Sequence, residues 1–181
     1  MLLVEGRADI EDLDAFLGSL ADVGAETGTT VQAFDARYVL GRAHLERAVA
    51  RADRAIRREQ NVAHDRGMEI MLYAAGRRQI DRALTMGAEA GDRPLVVLVD
   101  APDDETTGGT DGEGGRAEGD EDAAAAGVRD HLTTAETLGV EHVDTGLVRR
   151  FFDVSEAELA AAAGDLQSLV LERVALLDVE K

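Results

Sequence analysis

Cysteine and tryptophan are absent from this chain of 181 residues, and the other aromatic residues are only two tyrosines and four phenylalanines. Without cysteine the chain cannot form disulfides, thiolate metal sites or a cysteine nucleophile, so its fold must rest on packing alone. Lysine is nearly absent as well, because 18 of the 19 basic residues are arginine and the last is Lys181. The scarcity of rings limits how much base stacking the chain can offer a nucleic acid.

Long apolar runs are also missing. No run approaches the roughly 20 residues of a membrane span, and acidic residues directly follow the apolar residues 1–4, so no secretory signal is visible. We therefore expect a cytoplasmic protein with no membrane partner. The net charge of −18 and the low lysine content resemble proteins of extreme halophiles. In molar salt the Debye length is about 3 Å, so an acidic surface does not exclude an anionic partner.

The length favours one domain, and the apolar patterns predict an α+β fold in which a small, mostly antiparallel sheet packs with several helices. Strands are predicted at residues 1–4, 31–35, 95–99 and 140–143. Among them, 95–99 is a run of five branched apolar residues, typical of a central strand covered on both faces. The predicted helical segments are one capped by Asp9, then 42–58, 68–74, 77–86, 123–138, 144–152 and one beginning after Gly164.

Residues 100–122 carry ten acids against Arg116 and have no large apolar side chain. Such a segment cannot bury enough surface to offset the entropy of ordering the chain. We predict a disordered acidic insertion there, within a single domain spanning residues 1–181. The glycines of this segment are not followed by the Lys-Thr or Lys-Ser of a phosphate-binding loop.

Catalytic patterns are not found. The four histidines lack the spacing of a zinc helix, and Ser19, Ser155 and Ser168 lack a nucleophile elbow. We therefore expect no metal, no cofactor and no catalytic residue. Ser155 and Glu158 instead form the capping-box pattern that precedes a helix.

The strongest functional signal is a local excess of positive charge, since residues 37–82 hold 11 arginines against six acids. Arg77, Arg78 and Gln79 stand where a helix is predicted to begin, and arginine forks and helix-start amides both suit phosphate. The alternative is that these residues are simply solvated, with Arg77 or Arg78 paired to Asp81.

Two apolar segments have open interpretations. Glu69 lies within the apolar residues 68–73, where it is either exposed on a narrow face or buried with hydrogen bonds from backbone amides or an arginine such as Arg78. The stripe at residues 166–177 is either core alone or core with leucines left over for a partner surface.

The segment FDARYVLGRAHLERAVARADRAIRREQNVAHDRGMEIMLYAAGRRQIDRAL resembles the small kinase-binding subunit of the KEOPS complex, the archaeal and eukaryotic Cgi family. The similarity is good over residues 31–87 and moderate over 170–181. The elements that carry it include Asp35-Ala36, His44-Leu45, Asn61-Val62-Ala63, Glu69-Ile70, Gly76, Arg78-Gln79-Ile80 and Gly87.

The resemblance implies a non-catalytic subunit of the machinery that installs threonylcarbamoyl on the adenosine next to the tRNA anticodon. Such subunits bind the complex's atypical kinase/ATPase and engage the single-stranded 3′ CCA end of tRNA. The tRNA-binding residues expected here are Arg77, Arg78, Gln79, Asn61, Arg57, Arg58 and Arg66. The expected kinase interface consists of Leu166, Leu169, Val170, Leu171 and Val174.

Two other functions stay open. One is a small enzyme that holds a phosphorylated metabolite at the Gly76–Gln79 turn with Glu69 as the base. The other is a scaffold that contacts only the kinase and no RNA.

Overall fold

The computed structural model describes residues 1–102, 119–139, 141–163 and 165–177, and these residues form four strands and eight α-helices. The strands are β1 (Leu2–Ile10), β2 (Thr30–Asp35), β3 (Gly91–Asp100) and β4 (Thr133–Thr134). The helices are α1 (Leu13–Thr27), α2 (Arg42–Arg57), α3 (Arg66–Ala75), α4 (Ile80–Ala83), α5 (Glu121–Arg129), α6 (Thr145–Phe151), α7 (Glu156–Ala161) and α8 (Leu166–Leu176). In these ranges no helix combines the length and the apolar character needed to cross a bilayer.

The strands form one antiparallel sheet in the order β2-β3-β1-β4. Strand β3 pairs with β1 over Gly91–Val99 and with β2 over Thr30–Asp35, so it lies inside the sheet. Every residue from Leu95 to Asp100 is buried. This confirms the prediction of an α+β domain with a mostly antiparallel sheet and a central, doubly covered strand at 95–99.

The alternation of side chains along β3 divides the core between the two faces of the sheet. Val96 and Leu98 belong to the larger cluster, together with buried residues of α2, α3, α6 and α8. Val97 and Val99 belong to a smaller cluster with residues of α1 and α5. The functional candidates of the basic segment lie on the side of the larger cluster, since α2 and α3 carry them.

Three local predictions are wrong. Strand β1 continues to Ile10, because Ala8 and Ile10 bury against Leu95, so α1 is capped by Asp12 rather than Asp9. The predicted helix 123–138 ends at Arg129, since Thr133–Thr134 pair with β1 as an edge strand. Residues 141–143 form a turn rather than a strand, and Val140 lies outside the described residues.

The borders of the predicted acidic insertion belong to regular elements. Asp100 is the buried last residue of β3, and α5 begins at Glu121. The Glu121 carboxylate accepts hydrogen bonds from the Ala101 amide at 3.0 Å and from the terminal ammonium of Met1 at 2.8 Å. These acids have partners far away in sequence, which is why composition alone assigned them to the insertion. Residues 103–118 lie outside the described part of the chain.

His44 is fully buried between α2 and the end of α3. Its Nε2 lies 2.8 Å from the Ala74 carbonyl oxygen, and its Nδ1 accepts a hydrogen bond from the Leu40 amide at 3.4 Å. This pattern requires a neutral ring with the proton on Nε2, because a proton on Nδ1 would face the Leu40 N–H. Burial lowers the pKa of His44 to about 4.

Acid is therefore predicted to destabilise the fold through His44. The unfolded ring takes up a proton below pH 6.5, whereas the folded ring stays neutral until about pH 4. Stability is thus complete above that window and falls as the pH drops through it, by up to about 3 kcal/mol. Urea unfolding at several pH values should show a shallower pH dependence for His44→Gln than for the wild type. The exposed His64→Gln is the control, and equal slopes for all three proteins would contradict the prediction.

Candidate functional site

The turn between α3 and α4 packs against α6 and α8. Gly76 ends α3 in the left-handed region with φ 58° and ψ 35°, and the Arg77 amide donates to the Leu72 carbonyl at 3.0 Å. A Cβ atom at position 76 would lie 3.5 Å from Arg173 Cβ of α8, so the turn and the helix are in close contact. The left-handed backbone conformation and this close approach together explain why position 76 is a glycine.

The helix predicted at 77–86 is much shorter. Helix α4 spans only Ile80–Ala83 and passes into a 3-10 turn, Leu84–Met86. Gln79 is its N-cap residue but makes no side-chain capping hydrogen bond. A four-residue helix has little dipole, so the argument that phosphate would bind helix-start amides does not apply here.

Arg77 is turned toward α6 rather than toward solvent. Its guanidinium donates to the Phe151 carbonyl oxygen and to Asp153 Oδ2, the latter at 2.8 Å. The same group lies 5.6 Å from the centroid of the Phe151 ring, within range of a cation–π contact. Arg77 therefore fixes the turn against the end of α6, and the predicted pairing with Asp81 is not its contact in the structure.

Arg78 reaches the end of α8. Its Nη2 donates to the Leu177 carbonyl oxygen at 3.0 Å, and its Nε is buried without a hydrogen-bond partner among the described residues. Gln79, the next residue, is exposed. Of the three consecutive candidates, then, two join the turn to neighbouring helices and one faces solvent.

Glu69 is buried, with 1% of its surface exposed, and it organises the loop before α3. Its Oε2 accepts hydrogen bonds from the amides of Val62 and Ala63 at 3.0 and 2.8 Å. Asn61 is half-buried and donates from Nδ2 to the Ala63 carbonyl at 2.8 Å. The interpretation of Glu69 as a buried carboxylate held by backbone amides is confirmed. A shallow groove joins this loop to the Arg77–Arg78 turn, with Gln60, Val62 and Leu177 among its lining.

Arg66 is largely, but not fully, buried at the start of α3, about 15 Å along the helix from the Gly76 turn. Its guanidinium donates to both carboxylate oxygens of Asp53, at 2.7 and 3.0 Å, to Thr30 Oγ1 at 2.9 Å, and to Asp100 Oδ2. Only 12% of its side chain is exposed. Burial alone would lower the pKa of Arg66, but the hydrogen bonds to Asp53 and Asp100 outweigh this and raise it. Arg66 is therefore a structural residue, and its position does not support the predicted RNA contact.

Arg57 and Arg58 end α2, and both side chains are exposed. Their charges lie at the carboxyl end of the helix, where cations interact favourably with the helix dipole. Together with Gln79, they are the predicted RNA-binding residues that reach solvent most fully.

The predicted kinase interface on α8 divides into two sets. Val170 and Val174 are 0% exposed and contribute to the core, so they cannot contact a partner in this conformation. Leu166, Leu169 and Leu171 are half-buried, and the first two pack against the larger cluster. Leu176, which the prediction omitted, is 40% exposed. The i, i+4 spacing of the two valines already marked the inner face of the helix.

A basic cavity escaped the sequence analysis. It has a volume of about 310 Å³ and opens between the first 3-10 turn (Ala36–Tyr38), the α4 region and α6. Its lining consists of Tyr38, Arg77, Arg82, Thr85, Leu147, Arg150 and Phe151. These residues come from three separate parts of the sequence, so no local motif pointed to them.

Comparison with known families gives one match. The family model described as kinase binding protein CGI-121 matches residues 11–178. The matched span runs from just before α1 to beyond α8 and so includes every α-helix of the described ranges. No curated protein matches the chain.

Replacing Arg66 with alanine should destabilise the fold by about 3–5 kcal/mol, because it leaves the buried Asp53 without its cation and leaves Asp100 with only the terminal ammonium of Met1. Arg47→Ala removes an exposed arginine from α2 and should change stability by no more than about 0.5 kcal/mol. Urea unfolding of the two variants beside the wild type measures the difference. A similar, small loss in both variants would show that the Arg66 network adds little.

Proposed function

We propose, since this chain belongs to the family of the kinase-binding protein CGI-121, that it binds a protein kinase as a non-catalytic subunit. In finer terms, the proposal is the kinase-binding subunit of the KEOPS tRNA threonylcarbamoyladenosine-modification complex. In that role it would bind the atypical kinase/ATPase and recruit tRNA through the 3′ CCA end. The family supports the kinase partner, and the charge distribution of α2 supports the RNA.

The observation that carries the RNA part is the exposed face of α2. Few acids oppose the positive charge of this face, because Asp53 is buried against Arg66 and the exposed Glu46 lies 3.5 Å from Arg42. Beyond those two, Glu59 just after the helix is the remaining exposed acid of this segment. The exposed arginines are Arg42, Arg47, Arg54, Arg57 and Arg58. A chain of net charge −18 thus keeps a cationic surface at one helix.

This surface suits a single-stranded RNA end better than a duplex groove. Arginine forks bind phosphate oxygens in pairs, and such contacts need no base pairing. The end of α2 leads directly into the loop 60–63 that Glu69 holds in place, and this loop borders the Arg77–Arg78 turn. Phosphates would therefore contact Arg57 and Arg58, while Gln79 is exposed for a base edge or ribose hydroxyl.

The end of α8 is the surface that we assign to the kinase. Leu171 is half-buried and Leu176 is 40% exposed, so apolar area remains outside the core there. Arg78 holds the Leu177 carbonyl and fixes this end of the helix. A rigid helix with exposed leucines is a common way to dock onto another protein's groove.

The environment of Glu69 weighs against the enzyme alternative. Its Oε2 already accepts two backbone hydrogen bonds, and a general base needs a free oxygen within reach of a substrate proton. The scaffold alternative differs from our proposal only in lacking RNA, so the RNA experiment below distinguishes the two.

The RNA part predicts a specific effect of Arg57→Gln/Arg58→Gln. This double variant should weaken binding of tRNA by about tenfold or more, and should reduce the slope of log K against log salt by about 1.4, because two phosphate contacts are lost. Filter binding or fluorescence anisotropy at several salt concentrations measures both quantities, with tRNA that has or lacks its CCA end.

The matched control is Arg7→Gln/Arg129→Gln, which makes the same change in net charge at exposed positions of β1 and α5. It should bind tRNA nearly as the wild type does. If removal of the CCA end has no effect on affinity, recruitment through that end is wrong. If tRNA does not bind at all, the scaffold alternative is favoured.

The kinase part predicts that Leu176→Glu, alone or with Leu171→Glu, weakens the complex with the kinase at least tenfold while the thermal unfolding temperature stays near the wild-type value. A glutamate in place of such a leucine removes apolar contact with the kinase. Its charge must also be desolvated, and this cost arises only when the complex forms. Gln167→Glu, on an exposed position of the same helix, is the control. Calorimetric titration with the kinase measures the affinities, and unchanged binding of the leucine variants would place the interface elsewhere.

A further inference from the structure

The basic cavity has an unusual balance of charge for this protein. Three of its seven lining residues are arginines and none is acidic, although acids outnumber basic residues 37 to 19 in the whole chain. Arg82 and Arg150 have no carboxylate partner among the described residues. Arg77 is paired with Asp153, whose side chain is largely exposed. The cavity therefore presents positive charge that the surrounding protein does not neutralise.

Two acids that act on Tyr38 already have arginine partners. Asp35 and Glu89 both act on the charge of Tyr38, which lines the cavity. Asp35 Oδ2 accepts a hydrogen bond from Arg37 Nη2 at 2.5 Å, and Glu89 Oε2 lies 3.1 Å from Arg93 Nη2. Neither carboxylate forms an ion pair with Arg82 or Arg150 in the described part of the chain.

Tyr38 supplies a second, independent observation. Only 7% of the residue is exposed, yet its hydroxyl has no hydrogen-bond partner in the described part of the chain. The hydroxyl oxygen is not one of the fully buried polar atoms that lack a partner, so it reaches the cavity surface and can donate a hydrogen bond to an acceptor bound there. Burial is the main cause that raises the pKa of Tyr38, so the hydroxyl stays protonated at neutral pH and can donate.

The size and the walls of the cavity narrow the ligand class. A volume of about 310 Å³ corresponds to about ten water molecules and lies at the lower end for organic ligands, so it exceeds what a bare phosphate ion fills. The polar groups of the lining can all donate hydrogen bonds, since they are three guanidinium groups and the hydroxyls of Tyr38 and Thr85. Leu147 and Phe151 add an apolar wall. This combination fits an anion attached to a flat or apolar group.

We propose that this cavity binds a nucleotide. Arg82 and Arg150 hold the phosphate oxygens, Tyr38 donates a further hydrogen bond to them, and the wall formed by Leu147 and Phe151 contacts the sugar or base. The nucleotide comes either from free solution or from the end of an RNA strand, since both present the same chemistry. The site does not depend on the recruitment of tRNA proposed above.

Calorimetric titration of the full chain with AMP, adenosine and inorganic phosphate at fixed salt tests the site. AMP should bind saturably, and the other two should each bind at least about tenfold more weakly, because each lacks one half of the recognised ligand. Arg82→Gln/Arg150→Gln should weaken AMP binding about a hundredfold, and Tyr38→Phe about three- to tenfold. Arg7→Gln/Arg129→Gln makes the same charge change at exposed positions of β1 and α5 and should bind AMP as the wild type does.

Three results would overturn the proposal: no saturable binding of AMP up to about 10 mM, wild-type affinity in the Arg82/Arg150 variant, or equal affinity for phosphate and AMP. A CCA trinucleotide that competes with AMP supports the site with an RNA end as the source. A trinucleotide that fails to compete supports it with a free nucleotide as the source. If AMP binds as predicted while tRNA binding is indifferent to the CCA end, the nucleotide site stands and only the proposed recruitment fails.

Discussion

The buried guanidinium of Arg66 joins four elements of the fold, and the positions of the functional surfaces depend on it. It links the start of α3 to Asp53 in α2, to Thr30 in β2 and to Asp100 at the end of β3. Taking these charges out of water costs several kcal/mol, and only the complete set of hydrogen bonds offsets that cost. The network therefore holds α2 and α3 in one orientation against the sheet.

The same network determines the charge that α2 presents to solvent. Asp53 points inward to Arg66, so it does not neutralise the arginines on the outer face of the helix. In the same first turn of α3, Glu69 accepts hydrogen bonds from backbone amides rather than from an arginine. Both buried acids thus have partners away from the exposed arginines of α2, and a cationic surface persists in a strongly acidic protein.

Local patterns predicted the fold better than the site. The run at 95–99, the helix at 42–58 and the Ser155 capping box each follow from neighbouring residues, and the structure has all three. Arg57 and Arg66 look alike in sequence, but Arg66 has partners 13 and 34 residues away that periodicity cannot reveal. The nucleotide cavity likewise combines Tyr38, Arg82 and Arg150, which only the tertiary fold brings together.

Hydrogen bonds around Ala101 and Glu121 join the two stretches of chain that flank residues 103–118. Ala101 and Glu121 are hydrogen-bonded at 3.0 Å, and the Asp120 amide donates to the Thr27 carbonyl at 2.9 Å. A Cβ atom on Gly119 would lie 2.7 Å from the Gly28 carbonyl oxygen, so the returning chain passes tightly over the end of α1. Because Ala101 and Glu121 are hydrogen-bonded to each other, a change in the number of residues between the two ends costs only the slowly growing entropy of closure, about 0.6 kcal/mol for each doubling. This position in the chain can therefore accept sequences of very different length, in natural variants or as an inserted reporter domain, without disturbing the sheet.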